Sequence, residues 1–466
     1  MRKFVSFSLN GRATGVSTFV KDKTAHALAS ALWSVTENNR NNSWNVNFNN
    51  GNTNNNNKSS TIVVRAVSAL GEKDLEDWIE ASDDCCKNKK TGRHCTEYRI
   101  REECLVYLAA SVANRTYQPQ QSECFVVKRP KLREIFAAHF LDRIVQHWII
   151  LRIEPLLENL FIDCGDVSFN CRKGYGTLRG VRYLQDCIMN VNKSYKGAYI
   201  GKFDIKSFFM SINKDLLWGM LRRFIEASYH EEDKETLLWL SEVTIKHKPQ
   251  LNCIKKGDLS LWERLPKHKS LFYTNGMAIG NITSQILANF LLSGFDKWAN
   301  NWCKDNGGCY ARFVDDMAVV LPNKGLVLRF CKESNQKLFD FTKLHFHPDK
   351  VYIQHMSKGV KFIGTVIRPW GLYLSNRTVG GMWNMLNKME ACCKRLRNKK
   401  TLSQDEAQEL SYFICSCNSY LGFMIHNLTY GLRRKMFGRL KHFWSINYIS
   451  GKYAKVAMRN KYKQTV

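Results

Sequence analysis

No stretch of this 466-residue chain approaches the roughly 18–20 consecutive apolar residues that cross a bilayer. Met1 does not open a charged segment leading into an apolar one, as a secretory signal would. The expectation is a soluble, cytoplasmic protein with no membrane partner. Cys-x-x-Cys is also missing among the sixteen cysteines, and Cys85-Cys86, Cys392-Cys393 and Cys415-x-Cys417 have the wrong spacing for a zinc ribbon. Reduced, mostly buried thiols are expected instead. Acidic residues are scarce: 41 Asp and Glu against 70 Lys and Arg leave a formal charge of +29. A compact chain that repels itself this strongly calls for a polyanionic partner, although charge alone does not separate nucleic acid from an anionic membrane. What is present is a 44% apolar, 12% aromatic chain, which excludes global disorder and has room for two to four domains.

Residues 38–57 hold thirteen asparagines in twenty positions. Asparagine favours turns and solvated loops, so no core is expected there. Trp44, Val46 and Phe48 nevertheless alternate with asparagines as a strand would, and residues 59–67 are strand-like too. Composition shifts near Leu70, leaving 1–70 as a poorly ordered Asn-rich segment. Residues 71–128 read as a helical extension closing on a strand over 122–127. The stretch 134–160 has a helical pattern that Pro155 is expected to interrupt. Residues 198–212 and 308–321 are short apolar strands with acidic ends. Residues 378–446 return to helix, with a polar break at 401–405.

The segment Tyr310-Ala311-Arg312-Phe313-Val314-Asp315-Asp316-Met317-Ala318-Val319-Val320-Leu321 sets an Asp-Asp pair between two apolar strands, the pattern of a hairpin with carboxylates at its turn. An isolated Asp-Asp pair ordinarily caps a turn. A second apolar strand, Ile200-Gly201-Lys202-Phe203, also runs into an aspartate, Asp204. Side by side, these strands would gather three carboxylates, which repel one another unless divalent cations neutralise them. Hard oxygen ligands with open positions suit Mg²⁺ shared with substrate phosphates. Two such ions about 4 Å apart would activate a 3′-hydroxyl and stabilise departing pyrophosphate. With a polyanionic partner, this pattern points to nucleotidyl transfer.

These residues carry a family resemblance. Phe313-Val314-Asp315-Asp316 resembles the Y-x-D-D box of reverse transcriptases, and Asp204 followed five residues later by Phe209 resembles their first palm motif. Further matches come in the family's order. Arg129-Pro130-Lys131-Leu132-Arg133-Glu134-Ile135 and Leu141-Asp142-Arg143-Ile144-Val145-Gln146 resemble the fingers motif. Phe169-Asn170-Cys171-Arg172-Lys173-Gly174-Tyr175-Gly176-Thr177 resembles the next block. His347-Pro348-Asp349-Lys350 resembles the lysine-bearing motif, and Val360-Lys361-Phe362-Ile363-Gly364 the primer-grip turn. The resemblance implies an α+β right-hand polymerase, with an antiparallel palm sheet packed on helices, fingers, and a helical thumb. Fingers and palm would occupy 129–374. The thumb and tail would occupy 375–466, where seventeen Lys and Arg outnumber four acidic residues and aromatics are interleaved to grip a duplex.

One motif narrows the family. Ile279-Gly280-Asn281-Ile282-Thr283-Ser284-Gln285 departs from the usual Q-G-x-x-x-S-P and resembles the enzymes of diversity-generating retroelements, which copy a template-repeat RNA with errors at adenine. The resemblance implies RNA template, RNA–cDNA duplex, dNTPs and a small basic accessory protein as partners. Another bacterial reverse transcriptase (retron-like, group II intron-like or defence-associated) and a catalytically idle RNA-binding scaffold are the alternatives. Residues from about 25 to 68 resemble a translated template repeat and the tail of a C-type-lectin-like variable protein. Methionine is absent between Met1 and Met189, so polymerase translation is expected to start at a non-ATG codon near 67–72.

By resemblance, Asp204, Asp315 and Asp316 are the catalytic metal ligands for two Mg²⁺ ions, with Mn²⁺ able to substitute and the Ile205 carbonyl adding an oxygen. Phe209 would lie under the incoming sugar, and Lys131 and Arg133 would clamp the triphosphate, Arg133 through its planar fork. Lys350 would protonate pyrophosphate. Gly280 would let backbone approach the nascent pair, and Ile279 cannot hydrogen-bond the sugar as glutamine would, loosening selection. Ser284 and Gln285 would touch template and fidelity, and Phe362 with Gly364 would form the primer grip.

Overall fold

The structure, a computed structural model, describes residues 72–87, 102–128, 131–399 and 401–459. The Asn-rich segment and the proposed start region lie outside them. The described chain passes back and forth between two compact units, one built from 72–157 and 214–285, the other from 158–213 and 286–459.

The first unit begins with helices Glu72–Cys86 and Glu102–Ala113, then strands β1 (Ser122–Val127) and β2 (Arg133–Ala137). These strands pair antiparallel, with Val127 opposite Arg133 and Glu123 opposite Ala137. Helix was expected from residue 134, and the structure corrects that expectation. Glu134 and Phe136 point inward while Arg133 faces out, a two-residue period that pairing with β1 fixes. Nor does Pro155 break the following helix, Phe140–Asp163, which runs through it. Arg152 of that helix grips Asp77 at 2.5 Å and also bonds Asp233, while Trp148 stacks on Trp78.

The second unit supplies β3 (Tyr199–Asp204), and β4 (Cys253–Lys255) then joins β1 in parallel back in the first. In the second unit the hairpin β5 (Cys309–Phe313) and β6 (Asp316–Leu321) forms as the sequence pattern predicts, and β7 (Tyr352–His355) completes an antiparallel sheet in the order β5-β6-β3-β7. Its two interior strands are those that carry Asp204 and Asp316. Ile200, Ala311, Ala318 and Val320 pack with Val181, Leu184 and Ile188 of helix Thr177–Tyr195. That helix spaces its buried residues three and four apart, so one face closes the sheet. Among the described residues the sheet and its helices have the antiparallel α+β architecture of a right-hand polymerase.

A smaller sheet, β8 (Val360–Phe362), β9 (Thr365–Arg368) and β10 (Gly371–Leu374), follows. Helices Asn376–Leu396 and Gln404–Met424 then form a separate core with Phe437 and Phe443. Ser375 caps the first, and a reciprocal Ser403–Glu406 capping box starts the second, placing the sequence break where the polar run suggested. Phe437 and Phe443 are fully buried, Trp383, Tyr420 and Trp444 lie partly buried against this core, and Tyr412 is 67% exposed. None of the described cysteines forms a disulfide, and most are buried.

Candidate active site

Asp204 ends β3 and lies directly opposite Asp316, the first residue of β6. Phe313 pairs with the same Asp316 across the hairpin, so Val314 and Asp315 form a two-residue turn. Three carboxylates are thereby brought to one end of the two central strands, as the strand pattern predicted. Asp204 and Asp316 each meet a lysine: Lys350 bonds Asp204, and Lys202 Nζ lies 2.9 Å from Asp316. Burial and the neighbouring Asp204 and Asp316 charges push the Asp315 carboxyl up to about 6, with burial the larger cause.

Val314 has φ +58°, left-handed backbone that a β-branched residue rarely adopts. Both its peptide groups are held. Its N–H donates to Asn170 Oδ1 at 2.7 Å, and its carbonyl accepts from Arg312 Nη1 at 3.2 Å. Arg312 Nη1 also donates to Asn289 Oδ1 at 2.9 Å, and Asn289 Nδ2 returns to the Asn170 carbonyl at 2.6 Å. Asp296 takes the rest of the Arg312 fork at 2.5–3.1 Å and accepts from the Tyr310 hydroxyl at 2.9 Å. All of these polar side chains are buried, Arg312 entirely. Asn170 is delivered by the segment 167–169, which bonds along the outer edge of β5. Asn289, Asp296 and Lys202 were not anticipated as site residues. The one sequence signal for the network is a charged Arg312 inside an otherwise apolar strand.

Among the described residues no three His, Cys, Asp or Glu side chains already enclose a metal. The donor set still fits a hard divalent cation, because carboxylate oxygens on facing strands leave room for water and substrate phosphates to complete the shell. The lysines on Asp204 and Asp316 would move aside for it.

The other expected residues divide between the units. In the second, Ile205 pairs with Phe346 through bonds made by its neighbours Asp204 and Lys206, so its own carbonyl takes no part in that bridge. Phe209 is half-buried on the short helix Phe208–Ser211, edge-on to Phe208. Ile363 and Gly364, at φ +46° and +83°, make the tight turn between β8 and β9, and Phe362 beside them is fully buried. In the first unit Lys131 and Arg133 are exposed at the start of β2. Glu134 is buried beneath them, accepting from the Ser270 hydroxyl and the Leu271 N–H. The Ile279 carbonyl accepts from the Phe136 N–H at 2.8 Å. Gly280 follows at φ +129°, and a Cβ there would sit 2.5 Å from the Phe136 carbonyl oxygen. The close approach that excludes a side chain at Gly280 is thus to β2 itself. Ser284 is buried and Gln285 exposed on helix Ile282–Leu291.

Residues 126–367, just over half of the chain, match the family model described as reverse transcriptase (RNA-dependent DNA polymerase). Protein YkfC of Escherichia coli (strain K12) is 24% identical over 300 residues, covering 57% of this chain and 70% of its own. Among solved structures, apo telomerase from Candida tropicalis matches with a TM-score of 0.41 and 12% identity over 69% of this chain. Telomerase from Candida albicans in complex with a TWJ fragment of telomeric RNA matches with a TM-score of 0.39 and 13% identity over 70%. The chain spans 59% and 57% of the lengths of those two telomerase chains.

Proposed function

Because the chain belongs to the reverse transcriptase family, we propose that it extends a DNA primer on an RNA template, consuming dNTPs. The observation that carries this is Asp204 opposite Asp316 on interior strands, with Asp315 at the adjoining turn. Asp204, Asp315 and Asp316 would hold two Mg²⁺ ions, or Mn²⁺ in their place, with the Ile205 carbonyl as a further oxygen. When bound, the ions supply activation of the primer hydroxyl and neutralisation of phosphate charge. The chain's own groups do the rest. Lys350, which bonds Asp204 and would leave it when the cation binds, would give a proton to departing pyrophosphate. Phe209 stacks under the incoming sugar and excludes a 2′-hydroxyl by volume, and Lys131 and Arg133 bind phosphate oxygens. The 129–374 region acts as fingers and palm. The basic 375–466 region acts as a thumb on the duplex.

The finer reading is an error-prone copying enzyme of a diversity-generating retroelement, acting in the cytoplasm with a small basic accessory protein. Its support is the Ile279-Gly280…Ser284-Gln285 motif and the Asn-rich 38–57 segment. Isoleucine offers no hydrogen bond that would form well only with a correctly seated sugar. Such a bond is worth about 1 kcal/mol, or severalfold in selectivity. Ile279→Gln, alone or with Gln285→Pro, is expected to lower misincorporation opposite template adenine severalfold and more than opposite other bases. The check is deep sequencing of cDNA made from one template with the accessory protein present. An unchanged adenine error rate in an active variant would show that the infidelity is set elsewhere in the complex, and a parent with no excess of errors opposite adenine would remove this finer reading.

A further inference from the structure

Val314 is in left-handed backbone although its side chain is β-branched, and Asp315 follows it directly. Rotation at Val314 would swing the Asp315 peptide and its carboxylate together. Around this residue the hydrogen bonds close a ring: Asn170 to Val314, Val314 to Arg312, Arg312 to Asn289, and Asn289 back to Asn170. The ring is anchored on one side by the buried Asp296 carboxylate and on the other by pairing of 167–169 with β5. None of Asn170, Asn289 or Asp296 is among the three clustered carboxylates.

Resting on the reading that those carboxylates are the catalytic metal ligands, we infer that Asn170, Asn289, Arg312 and Asp296 form a strap that holds Val314 in its strained conformation and so aims Asp315 at the cation. They are positioning residues. Asn170 is the most exposed to test, because it accepts the Val314 N–H through one side-chain oxygen. Without it, nothing in the ring restrains that N–H, and the valine is free to relax toward the extended region its side chain prefers. Glycine at 314 adopts positive φ without penalty and would make the strap less necessary. A buried ion pair that served only packing would not respond to residue 314 in this way.

The test measures Mn²⁺ binding to the full chain by electron paramagnetic resonance for the parent, Asp315→Ala, Asn170→Ala, Val314→Gly and the Asn170→Ala/Val314→Gly double variant. Primer extension is followed in parallel. Asn170→Ala should weaken Mn²⁺ about tenfold, equivalent to about 1.4 kcal/mol, and lower kcat by a similar factor with the dNTP KM within about twofold. Val314→Gly should bind within about threefold of the parent, and the double variant should recover to that level. Mn²⁺ binding by Asn170→Ala equal to the parent's, or a double variant no better than Asn170→Ala, would overturn the strap. If Asn170→Ala does not fold, the double variant still decides, since it should fold and bind within threefold. Unchanged Mn²⁺ binding by Asp315→Ala would instead overturn the metal-ligand reading itself.

Discussion

Asp204 and Asp316 face each other across neighbouring antiparallel strands, and each carboxylate is met by a lysine of its own, Lys350 and Lys202. Burial and its two acidic neighbours raise the proton affinity of Asp315, because both disfavour its charge. The site therefore holds unfavourable charge that a divalent cation would relieve.

That charge has a stability consequence. The folded Asp315 carboxyl, up at about 6, holds its proton more tightly than an unfolded aspartate. Stability from this group is full below the unfolded value and is lost as pH rises through 6. In metal-free buffer, Asp315→Asn should be more stable than the parent at pH 7.5 by about 1–2 kcal/mol, after allowance for partial exposure. The difference should shrink towards pH 4.5. Urea unfolding in chelator at the two pH values measures it, and a gap that widened on acidification would contradict the assignment.

Gly280→Ala should destabilise the first unit by about 1–3 kcal/mol, since alanine there meets both a disfavoured φ and the Phe136 carbonyl. Chemical unfolding reads the cost. An alanine variant as stable as the parent would show that β2 does not constrain the Ile279-Gly280 backbone.

The aromatics of residues 375–466 should separate by burial. Phe443→Ala should cost about 3–5 kcal/mol, because the ring is fully enclosed, while Tyr412→Ala should change stability by less than about 0.5 kcal/mol. Thermal unfolding of both variants checks the ordering, and equal losses would mean that the 382–456 core is assembled otherwise.

The hairpin that carries Asp315 and Asp316 was legible in the sequence because apolar runs around Asp315-Asp316 and before Asp204 have no other stable home than adjacent buried strands. β2 was not legible: Glu134 and Phe136 alternate over too few residues to outweigh the helical periodicity beyond them, and pairing with β1 decides the outcome. Pro155 likewise follows tertiary context rather than its own propensity. The aromatics of 375–466 could not be sorted into core and surface until the helices were packed. The strap was hidden for a different reason. Asn170 lies 119 residues before Asn289, and Asn289, Asp296 and Arg312 sit on different elements, so only the fold gives their polar groups a common address.

The most direct test of the account is single-turnover extension of a DNA primer on an RNA template with Mg²⁺ and dNTPs, comparing the parent with Asp204→Asn and Asp315→Asn. Each variant should extend at least about a thousandfold more slowly, roughly 4 kcal/mol in the barrier, while duplex binding stays within about twofold because the basic grip is untouched. Extension by either variant within tenfold of an active parent would contradict the assignment of these aspartates as the centre of the chemistry.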